Sequence, residues 1–290
     1  MSPLELLASP IVRYPLIIAI LVGLTAPVVG TYLVQKRLSL LGDGLGHVAL
    51  TGVALGWLTG ALLQLTPVDT LAIPGALIAS VIGAVLIEYV REVGHTSRDT
   101  ALAILFYGGI AGGVVIIQLA GGTSQSLMAY LFGSLATVTA NDLWVAGALA
   151  VVVLIIGVGM RPLLFAVTSD EEHAQAIGLP VRLINVLIAI MAALTVTLAM
   201  RIVGALMVSA LMIVPVAAAQ MFVKGFARTM SIAMGIGVLC AVAGLVITIY
   251  VDLPPGGVIV LLAVGVYILG ILTRALTSRR RTPRTTFEKA

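Results

Sequence analysis

Charged residues are scarce in this sequence. Only 10% of its 290 residues are Asp, Glu, Lys or Arg, whereas 60% are hydrophobic, and the mean hydropathy is +1.18. A soluble globular chain carries roughly 25% charged residues. The composition therefore excludes an ordinary soluble domain, and the long apolar runs predict an all-α, polytopic integral membrane protein.

Other absences exclude particular chemistries. The sequence has a single cysteine, Cys240, so no intramolecular disulfide can form. A phosphate-binding loop needs G-x-x-x-x-G-K-[ST], and none of the three lysines (Lys36, Lys224 and Lys289) follows a glycine. The chain is therefore not itself an ATPase. The H-E-x-x-H pattern is also absent from the sequence, which excludes a membrane zinc protease of that type.

Apolar runs of about 20 residues, the length that crosses a bilayer, recur along the whole chain. They predict about nine transmembrane helices, within a range of eight to ten, near residues 15–35, 43–63, 71–90, 100–120, 143–165, 183–200, 202–221, 229–250 and 256–274. The sixth and seventh are separated by a very short turn at Arg201. The stretch 121–142 is too polar for a plain span and predicts an external loop with a short helix or a re-entrant turn.

Basic residues orient these spans, because cytoplasmic connections carry an excess of Lys and Arg. Every second connection is basic, through Lys36, Arg37, Arg91, Arg98, Arg161, Arg182, Lys224, Arg228, Arg279, Arg280 and Arg281. We therefore expect residues 1–275 to form one transmembrane domain with its N-terminus outside, and 276–290 to form a basic cytoplasmic tail. Anionic lipid is the better partner for that tail, and we expect no nucleic-acid binding.

One short stretch, "LSLLGDGLGHVAL" (38–50), places an acid and an imidazole four residues apart. Asp43 and His47 would share one helix face. Counted from Arg37, His47 would lie roughly 15 Å into the membrane, near its midplane. Carboxylate oxygen and imidazole nitrogen suit zinc and also manganese. Ionisable groups inside a membrane are costly and usually functional, which favours an ion pathway.

Structural interpretations of the same pair remain open. Asp43 can cap a helix that starts at Gly44, since Asp is a favoured N-cap. It can also be protonated and simply hydrogen-bonded. His47 can be a neutral core imidazole with a backbone partner. The glycines at 42, 44 and 46 would leave room for a hydrated ion or for a closely packed backbone.

Four stretches, in order along the chain, resemble the membrane (permease) subunits of the bacterial zinc/manganese/iron ABC importer family. They are "VGLTAPVVGTYLVQKRLSLLGDGLGHVALTGVALG" (22–56), "SRDTALAILFYGG" (97–109), "LMAYLFGSLATVTANDLW" (127–144) and "DEEHAQAIGLPVRLINVLIA" with "VGALMVSALMIVPVAAAQ" (within 170–220). In that family an Asp-x-x-x-His pair on the second helix is associated with the metal path. The resemblance carries that role onto Asp43 and His47.

The resemblance implies a transport subunit rather than an enzyme. Two copies would form the pathway, two ATPase subunits would bind ATP at the cytoplasmic face, and an extracytoplasmic binding protein would deliver the metal. We expect no permanently bound cofactor, only transported Zn²⁺ or Mn²⁺, in a bacterial plasma membrane. The run "YLFGSLATVT" (130–139) favours zinc by resemblance, with manganese or iron as the alternative.

Further residues carry weaker expectations. The segment "SDEEHAQAIGLP" (169–180) predicts a short cytoplasmic helix with Ser169 as its N-cap, Glu172 completing a capping box, and Gly178 with Pro180 ending it. It resembles the coupling helix that docks onto the ATPase. That resemblance assigns ATPase contacts to Glu171, Glu172, His173, Ala174, Ala176 and Gly178.

Asp99 begins the fourth predicted helix, where the family also has an acid. A structural role as N-cap or ion-pair partner is favoured there, with a part in metal exit as the alternative. His173 is a third metal candidate, although an ATPase contact is favoured. We expect the remaining loop and interface groups to be solvated, namely Glu88, Glu92, His95, Asp142 and Asp252. For the external acids Asp142 and Asp252, contact with a binding protein or attraction of cations is the alternative.

Two other functions fit the apolar composition. A secondary transporter or channel would use Asp43 and His47 to relay protons and would need no ATP. An intramembrane hydrolase would pair His47 with a serine such as Ser134, although no nucleophile motif supports that arrangement. The ordered resemblance favours the importer subunit over both.

Overall fold

The structure, a computed structural model, describes residues 9–93, 98–134, 138–200, 202–251 and 253–279. Within these ranges the chain folds into helices joined by short connections. In order, the α-helices are α1 (Pro10–Gln35), α2 (Leu41–Leu62), α3 (Ala72–Val93), α4 (Arg98–Leu119), α5 (Ser124–Phe132), α6 (Ala140–Leu154), α7 (Arg161–Ser169), α8 (Glu171–Ala176), α9 (Val181–Ala199), α10 (Ala205–Phe222), α11 (Phe226–Tyr250) and α12 (Pro255–Arg279). A 3₁₀ turn (Val68–Leu71) precedes α3, and a π-helical turn (Ile155–Gly159) follows α6.

Eight helices in the described part of the chain are long and apolar enough to cross a membrane. They confirm the predicted multi-pass, all-α architecture and fall within the expected range of eight to ten. The seventh predicted span corresponds to α10 (Ala205–Phe222), an apolar helix of 18 residues that is not among these eight. The polar stretch after α4 contains the short helix α5, as expected.

Helix α10 is short because it starts in the middle of the bundle. A Cβ atom on Gly46 would lie 2.7 Å from the carbonyl oxygen of Ala205, the first residue of α10. Helix α2 continues from Gly46 to Leu62, which is about 24 Å further at 1.5 Å per residue. The turn between α9 and α10 is therefore enclosed within the protein, and Ile202 and Val203 are fully buried there.

Three glycines surround this enclosed turn. Gly133 and Gly204 have φ angles of +83° and +85°, which favour glycine. A Cβ on Gly204 would lie 2.3 Å from the carbonyl oxygen of Leu131, and one on Gly256 would lie 1.9 Å from that of Val203. Irregular backbone is tolerated at membrane depth only where protein or a water-filled cavity surrounds it. The close approach of these three segments provides that cover.

Helix α2 occupies a central position between α3 and α4. Small residues bring α2 into backbone contact with α3 and with the 3₁₀ turn before it. A Cβ on Gly52 would meet the carbonyl oxygen of Gly75 in α3 at 2.3 Å, and one on Gly56 would meet that of Leu71 in the turn at 2.1 Å. Such close approach is how membrane helices gain packing without a hydrophobic driving force. It holds α2, which carries Asp43 and His47, in a fixed place.

The basic connections gather at one end of the bundle, as the alternation of charge predicted. Lys36, after α1, lies 2.6 Å from Glu171 at the start of α8, and Arg91 at the end of α3 lies 3.5 Å from the same carboxylate. The ring of Phe226, at the start of α11, packs on Tyr32 of α1 and Phe165 of α7. We call this end of the bundle the basic end; its assignment to the cytoplasm remains a prediction.

The predicted boundary between the transmembrane domain and the tail falls inside a helix. Helix α12 continues through residue 276 to Arg279, and the rest of the predicted tail lies outside the described residues.

Candidate metal site

Asp43 lies in the first turn of α2. The helix begins at Leu41, its N-cap is Leu40, and no side chain caps it. Asp43 is the third residue of the helix, so the alternative in which it caps a helix starting at Gly44 is wrong. A carboxylate in a first helical turn is stabilised by the partial positive charge of the helix N-terminus. Its side chain is 27% exposed, so it can accept further bonds.

A tight turn precedes the pair on the side of the basic end. It covers residues 36–40 between α1 and α2, and Arg37 has a positive φ of 58° there. His47 lies about 9 Å along α2 from its start at Leu41. The sequence count assumed that the helix began beside Arg37, which is wrong; the depth of His47 in the membrane stays a prediction.

His47 is almost fully enclosed, with 1% of its side chain exposed. Its Nε2 lies 3.8 Å from Oδ1 of Asp43, which is too long for a hydrogen bond. Among the described residues neither ring nitrogen has a hydrogen-bond partner, so the predicted backbone partner for a core imidazole is not observed. Leaving a buried polar group without a partner is costly. An imidazole nitrogen without a partner is chemically able to bind a metal ion.

Neighbouring helices fix the position of this imidazole. The ring of Phe106, on α4, packs edge-on against it, with centroids 4.3 Å apart and planes at 78°. A Cβ on Gly109 would lie 2.7 Å from the carbonyl carbon of His47, and Thr51 donates a hydrogen bond of 2.6 Å to the carbonyl oxygen of Gly109. These contacts bring α4 close to α2, as the surrounding glycines suggested.

A third polar side chain reaches the site from α10. The hydroxyl of Ser209 donates to Oδ1 of Asp43 at 3.3 Å. The sequence analysis missed this residue because Ser209 is a lone polar residue in an apolar run, 166 positions from its partner. A Cβ on Gly42 would lie 3.6 Å from the Cα of Ser209, which is an ordinary contact distance, so α2 and α10 pack side by side here.

Asp43 also opens into a cavity between α2 and α4. The cavity has a volume of about 290 Å³ and is lined by Leu40, Asp43, Gly44, Leu102, Ala103, Phe106 and Tyr107. Most of its lining is apolar, and Asp43 is the one carboxylate among the lining residues. A cation that enters this cavity would meet Asp43 first and His47 one helical turn deeper.

One copy of the chain offers an incomplete set of ligands. Within the described residues no group of three or more His, Cys, Asp or Glu side chains is placed to hold a metal ion. Asp43 and His47 supply one oxygen and one nitrogen, and Ser209 lies close enough to add a hydroxyl. The side chain of Asp99 lies outside the described part of the chain, so its predicted role stays a prediction. Water or a second copy would have to complete four or more ligands.

The predicted docking helix is present as α8, with a different cap. Asp170 is the N-cap, and its Oδ1 accepts a hydrogen bond of 2.9 Å from the backbone N–H of His173. Ser169 is instead the last residue of α7, so its predicted capping role is wrong. Gly178 adopts a φ of +84° just after the helix, as its predicted role in ending the helix requires.

The exposed face of α8 contains most of the predicted contact residues. Glu172, His173, Ala176 and Gly178 are exposed, and Glu171 is half-buried. Ala174 is only 1% exposed and packs inward. Its side chain therefore does not belong to the accessible face that the resemblance assigned to ATPase contacts.

Two acids that were expected to be solvated are buried instead. Glu88 is 7% exposed, and its Oε2 lies 3.2 Å from Nε of Arg91. Asp142 is also 7% exposed and forms a capping box with Thr139 at the start of α6. Both partners lie only three residues away, at the spacing of a helical ion pair and of a capping box, so these pairings could have been read from the sequence. The side chain of Glu92, together with His95 and Asp252, lies outside the described residues.

The fold and the site define a multi-pass membrane protein with a buried imidazole next to a carboxylate that faces a cavity. The sequence matches the ABC 3 transport family over residues 9–274, and the chain belongs to that family. This membership confirms the predicted membrane permease of an ABC importer. It also confirms that the chain is not an enzyme, because ATP hydrolysis in such transporters occurs on a separate subunit.

Individual relatives cover nearly the whole chain. The manganese transport system membrane protein MntC of Halalkalibacterium halodurans is 33% identical over 95% of this chain and 94% of its own length. The chelated iron transport system membrane protein YfeD of Yersinia pestis is 28% identical over 97% and 92%. The solved structure of PsaBC from Streptococcus pneumoniae in complex with Fab matches with a TM-score of 0.81 at 27% identity, over 92% of this chain and 94% of the matched chain.

Proposed function

We propose that this permease imports a divalent transition metal, with manganese as its cargo, and that the ion passes Asp43 and His47. The observation that carries the proposal is the buried His47, whose ring nitrogens have no hydrogen-bond partner in the described structure, beside a carboxylate that faces a cavity. A proton relay would not need this separation of the two groups, whereas a bound cation would fill the 3.8 Å gap between them.

Manganese replaces zinc as the favoured cargo. The names of MntC and YfeD refer to manganese and chelated iron, which supports the alternative within the sequence-based expectation. The local chemistry is compatible with manganese, because the nearby groups are a carboxylate, an imidazole and a hydroxyl. Carboxylate and imidazole also bind zinc, so the preference for manganese rests on the relatives and not on the ligands.

We further propose that two copies of the chain form the pathway. Each copy supplies two or three ligands, so two copies related by symmetry would supply four to six, enough for a complete coordination shell. Two ATPase subunits would dock on the exposed face of α8, and an extracytoplasmic binding protein would deliver the metal to the opposite end.

Reconstitution would test this function directly. The chain is assembled with its ATPase subunit in proteoliposomes, with ATP trapped on the ATPase side and the binding protein and radioactive manganese on the other. We expect ATP-dependent manganese accumulation that unlabelled manganese suppresses more strongly than equal concentrations of zinc or iron. Accumulation without ATP would contradict the ABC mechanism, and stronger suppression by zinc would contradict the assignment of cargo.

A further inference from the structure

A group of charged side chains at the basic end joins the docking helix to the transmembrane helices. Lys36 is the first residue after α1, and only 5% of its side chain is exposed. Its Nζ lies 2.6 Å from Oε1 of Glu171 and donates a hydrogen bond of 2.6 Å to Oδ1 of Asn185. One lysine thereby ties the end of α1 to the first residue of α8 and to the first turns of α9.

The carboxylate of Glu171 is the centre of this group. Besides Lys36, its Oε1 accepts a hydrogen bond of 3.3 Å from Nδ2 of Asn185 and lies 3.5 Å from Nη2 of Arg91. Arg91, near the end of α3, also pairs with the buried Glu88. Donors from three different helix ends therefore converge on a single oxygen at the start of α8.

The electrostatics favour a charged pair in this position. Burial lowers the pKa of Lys36, and its hydrogen bond to Glu171 opposes that effect. Burial by itself would raise the pKa of Glu171, but the bond and charge of Lys36, the charge of Arg91 and the bond from Asn185 together hold it below its usual value. Glu171 therefore stays ionised at neutral pH. Short hydrogen bonds to an ionised carboxylate have a definite geometry, so they oppose displacement of α8 relative to the end of α1.

The pair also lies a short distance along the chain from the metal site. Residues 36–40 form a tight turn, in which the backbone N–H of Leu38 bonds to the carbonyl of Leu33 and that of Leu41 bonds to Leu38, each close to 3 Å. Asp43 follows within the first turn of α2. Because this turn has little slack, a displacement of Lys36 would be transmitted to the first turn of α2.

We infer that the Lys36–Glu171 pair is the positioning contact that transmits movement of the docking helix to the metal site. The inference rests on the proposed function, in which an ATPase docks on α8. When the ATPase moves α8, Glu171 carries Lys36 with it, and the 36–40 turn shifts the first turn of α2, where Asp43 lies. Neither residue contacts the ion. Their role is to couple movement of α8 to movement of the first turn of α2.

The test of this inference measures coupling, which is the number of manganese ions transported per ATP hydrolysed, rather than transport activity alone. The full complex with its ATPase and binding protein is prepared with Lys36→Met, Lys36→Arg, Glu171→Gln or Lys224→Met, and assembly is checked by size-exclusion chromatography. Manganese accumulation and ATP hydrolysis are measured in the same proteoliposomes. Lys224 is exposed at the same end of the bundle and serves as the matched lysine control.

We expect Lys36→Met to lower the number of manganese ions transported per ATP by roughly tenfold, within the usual range of coupling between sites. Hydrolysis should continue, because the exposed face of α8 is intact. Lys36→Arg keeps the charge and should retain most of the ratio, and Lys224→Met should leave it unchanged. Glu171→Gln is isosteric, so it tests the charge of the pair without removing a hydrogen-bond acceptor.

The outcomes distinguish a failure of the inference from a failure of the proposed function. If the complex with Lys36→Met does not assemble, the result for Glu171→Gln decides. A ratio of manganese transported per ATP equal to that of the unmodified complex, in every variant that assembles, overturns the inference. A parallel loss of transport and hydrolysis, with an unchanged ratio, also overturns it, because that pattern indicates a general structural defect. Absence of ATP-dependent manganese uptake by the unmodified complex would instead contradict the proposed function, and the inference with it.

Discussion

Two clusters of ionisable side chains lie only seven residues apart along the chain, yet they differ in how their bonding is completed. At Lys36, the ammonium lies 2.6 Å from both a carboxylate and an amide oxygen, and Glu171 receives donors from three helix ends. At His47, both ring nitrogens lack a hydrogen-bond partner within the described structure, although its side chain is slightly more buried than that of Lys36.

This difference separates a structural contact from a binding site. A buried charge is tolerated when partners in the protein replace its lost hydration, and the Lys36 cluster meets that condition. A buried imidazole without partners is costly unless something outside the chain completes its bonds. The incomplete pair is therefore the candidate for a passing ion, and the complete one is the candidate for transmitting force.

The largest expected effect is on the incomplete pair. Asp43→Ala and His47→Ala should each abolish ATP-dependent manganese uptake, because one chain offers at most two strong ligands and each substitution removes one. Uptake into proteoliposomes is compared at equal amounts of assembled complex. Normal uptake by either variant would show that the pair is not part of the metal pathway. The difference in bonding between His47 and Lys36 would then not distinguish a binding site from a structural contact.

The second prediction concerns the enclosed turn that positions α10 and Ser209 against the site. Gly204→Ala places a Cβ where only glycine is accommodated, with φ +85° and ψ 154°, and 2.3 Å from the carbonyl oxygen of Leu131. The strain should cost about 3 kcal/mol and lower the unfolding temperature in detergent.

Gly235→Ala is the matched control for that substitution. A Cβ on Gly235, in the middle of α11, has nothing within 4 Å. Alanine in a helix interior is favoured over glycine by about 1 kcal/mol, so this variant should be as stable as the unmodified protein or slightly more so. Equal unfolding temperatures for the two variants would contradict the enclosed turn.

Breaking the complete cluster should destabilise the protein by a smaller amount. Lys36→Ala removes the central donor and leaves Glu171 with Arg91 and Asn185. Because Glu171 is 34% exposed, we expect a loss between the ~1 kcal/mol of an exposed pair and the ~3–5 kcal/mol of a fully buried one. Thermal unfolding in detergent measures it, with Lys224→Ala as the exposed control, and a loss no greater than that of the control would make the cluster structurally irrelevant.

The smallest effect is expected at Ser209. Ser209→Ala removes a hydrogen bond of 3.3 Å to Asp43 and leaves both strong ligands in place. Supporting residues of this kind typically change metal affinity by 10–100-fold, and for a bond this long we expect roughly tenfold or less in the concentration of manganese that half-saturates uptake. Ser231→Ala, on the exposed side of α11, should leave that concentration unchanged. A complete loss of uptake with Ser209→Ala would instead make Ser209 an essential ligand.

Most of the fold was accessible from sequence because it depends on local composition. Runs of about 20 apolar residues define the long helices, and alternating basic connections predict the common basic end that Lys36, Arg91 and Glu171 share. The enclosed turn between α9 and α10 was not accessible. Its position depends on contacts of Gly204 and Gly256 with segments far away in the chain, and an apolar run of 18 residues does not reveal that it starts inside the bundle.

The same distinction applies to the site. The i, i+4 spacing of Asp43 and His47 is visible in the sequence, since it follows from helix geometry alone. The tight turn over residues 36–40 left no clear sequence signal, and the depth of the pair in the membrane stays a prediction. Ser209 and the pairing of Lys36 with Glu171 were missed because each joins residues more than 100 positions apart, which no local pattern encodes.

The most direct test of the contrast between the two clusters is a paired measurement on His47→Leu, with manganese uptake and thermal unfolding determined on the same preparation. Leucine fills a similar volume without polar atoms that need partners. We predict that uptake is lost, while the unfolding temperature is unchanged or higher, because an unsatisfied imidazole has been removed from the interior. Retained uptake would show that His47 is not part of the metal pathway. A marked fall in the unfolding temperature together with lost uptake would show that His47 has a structural role in the core.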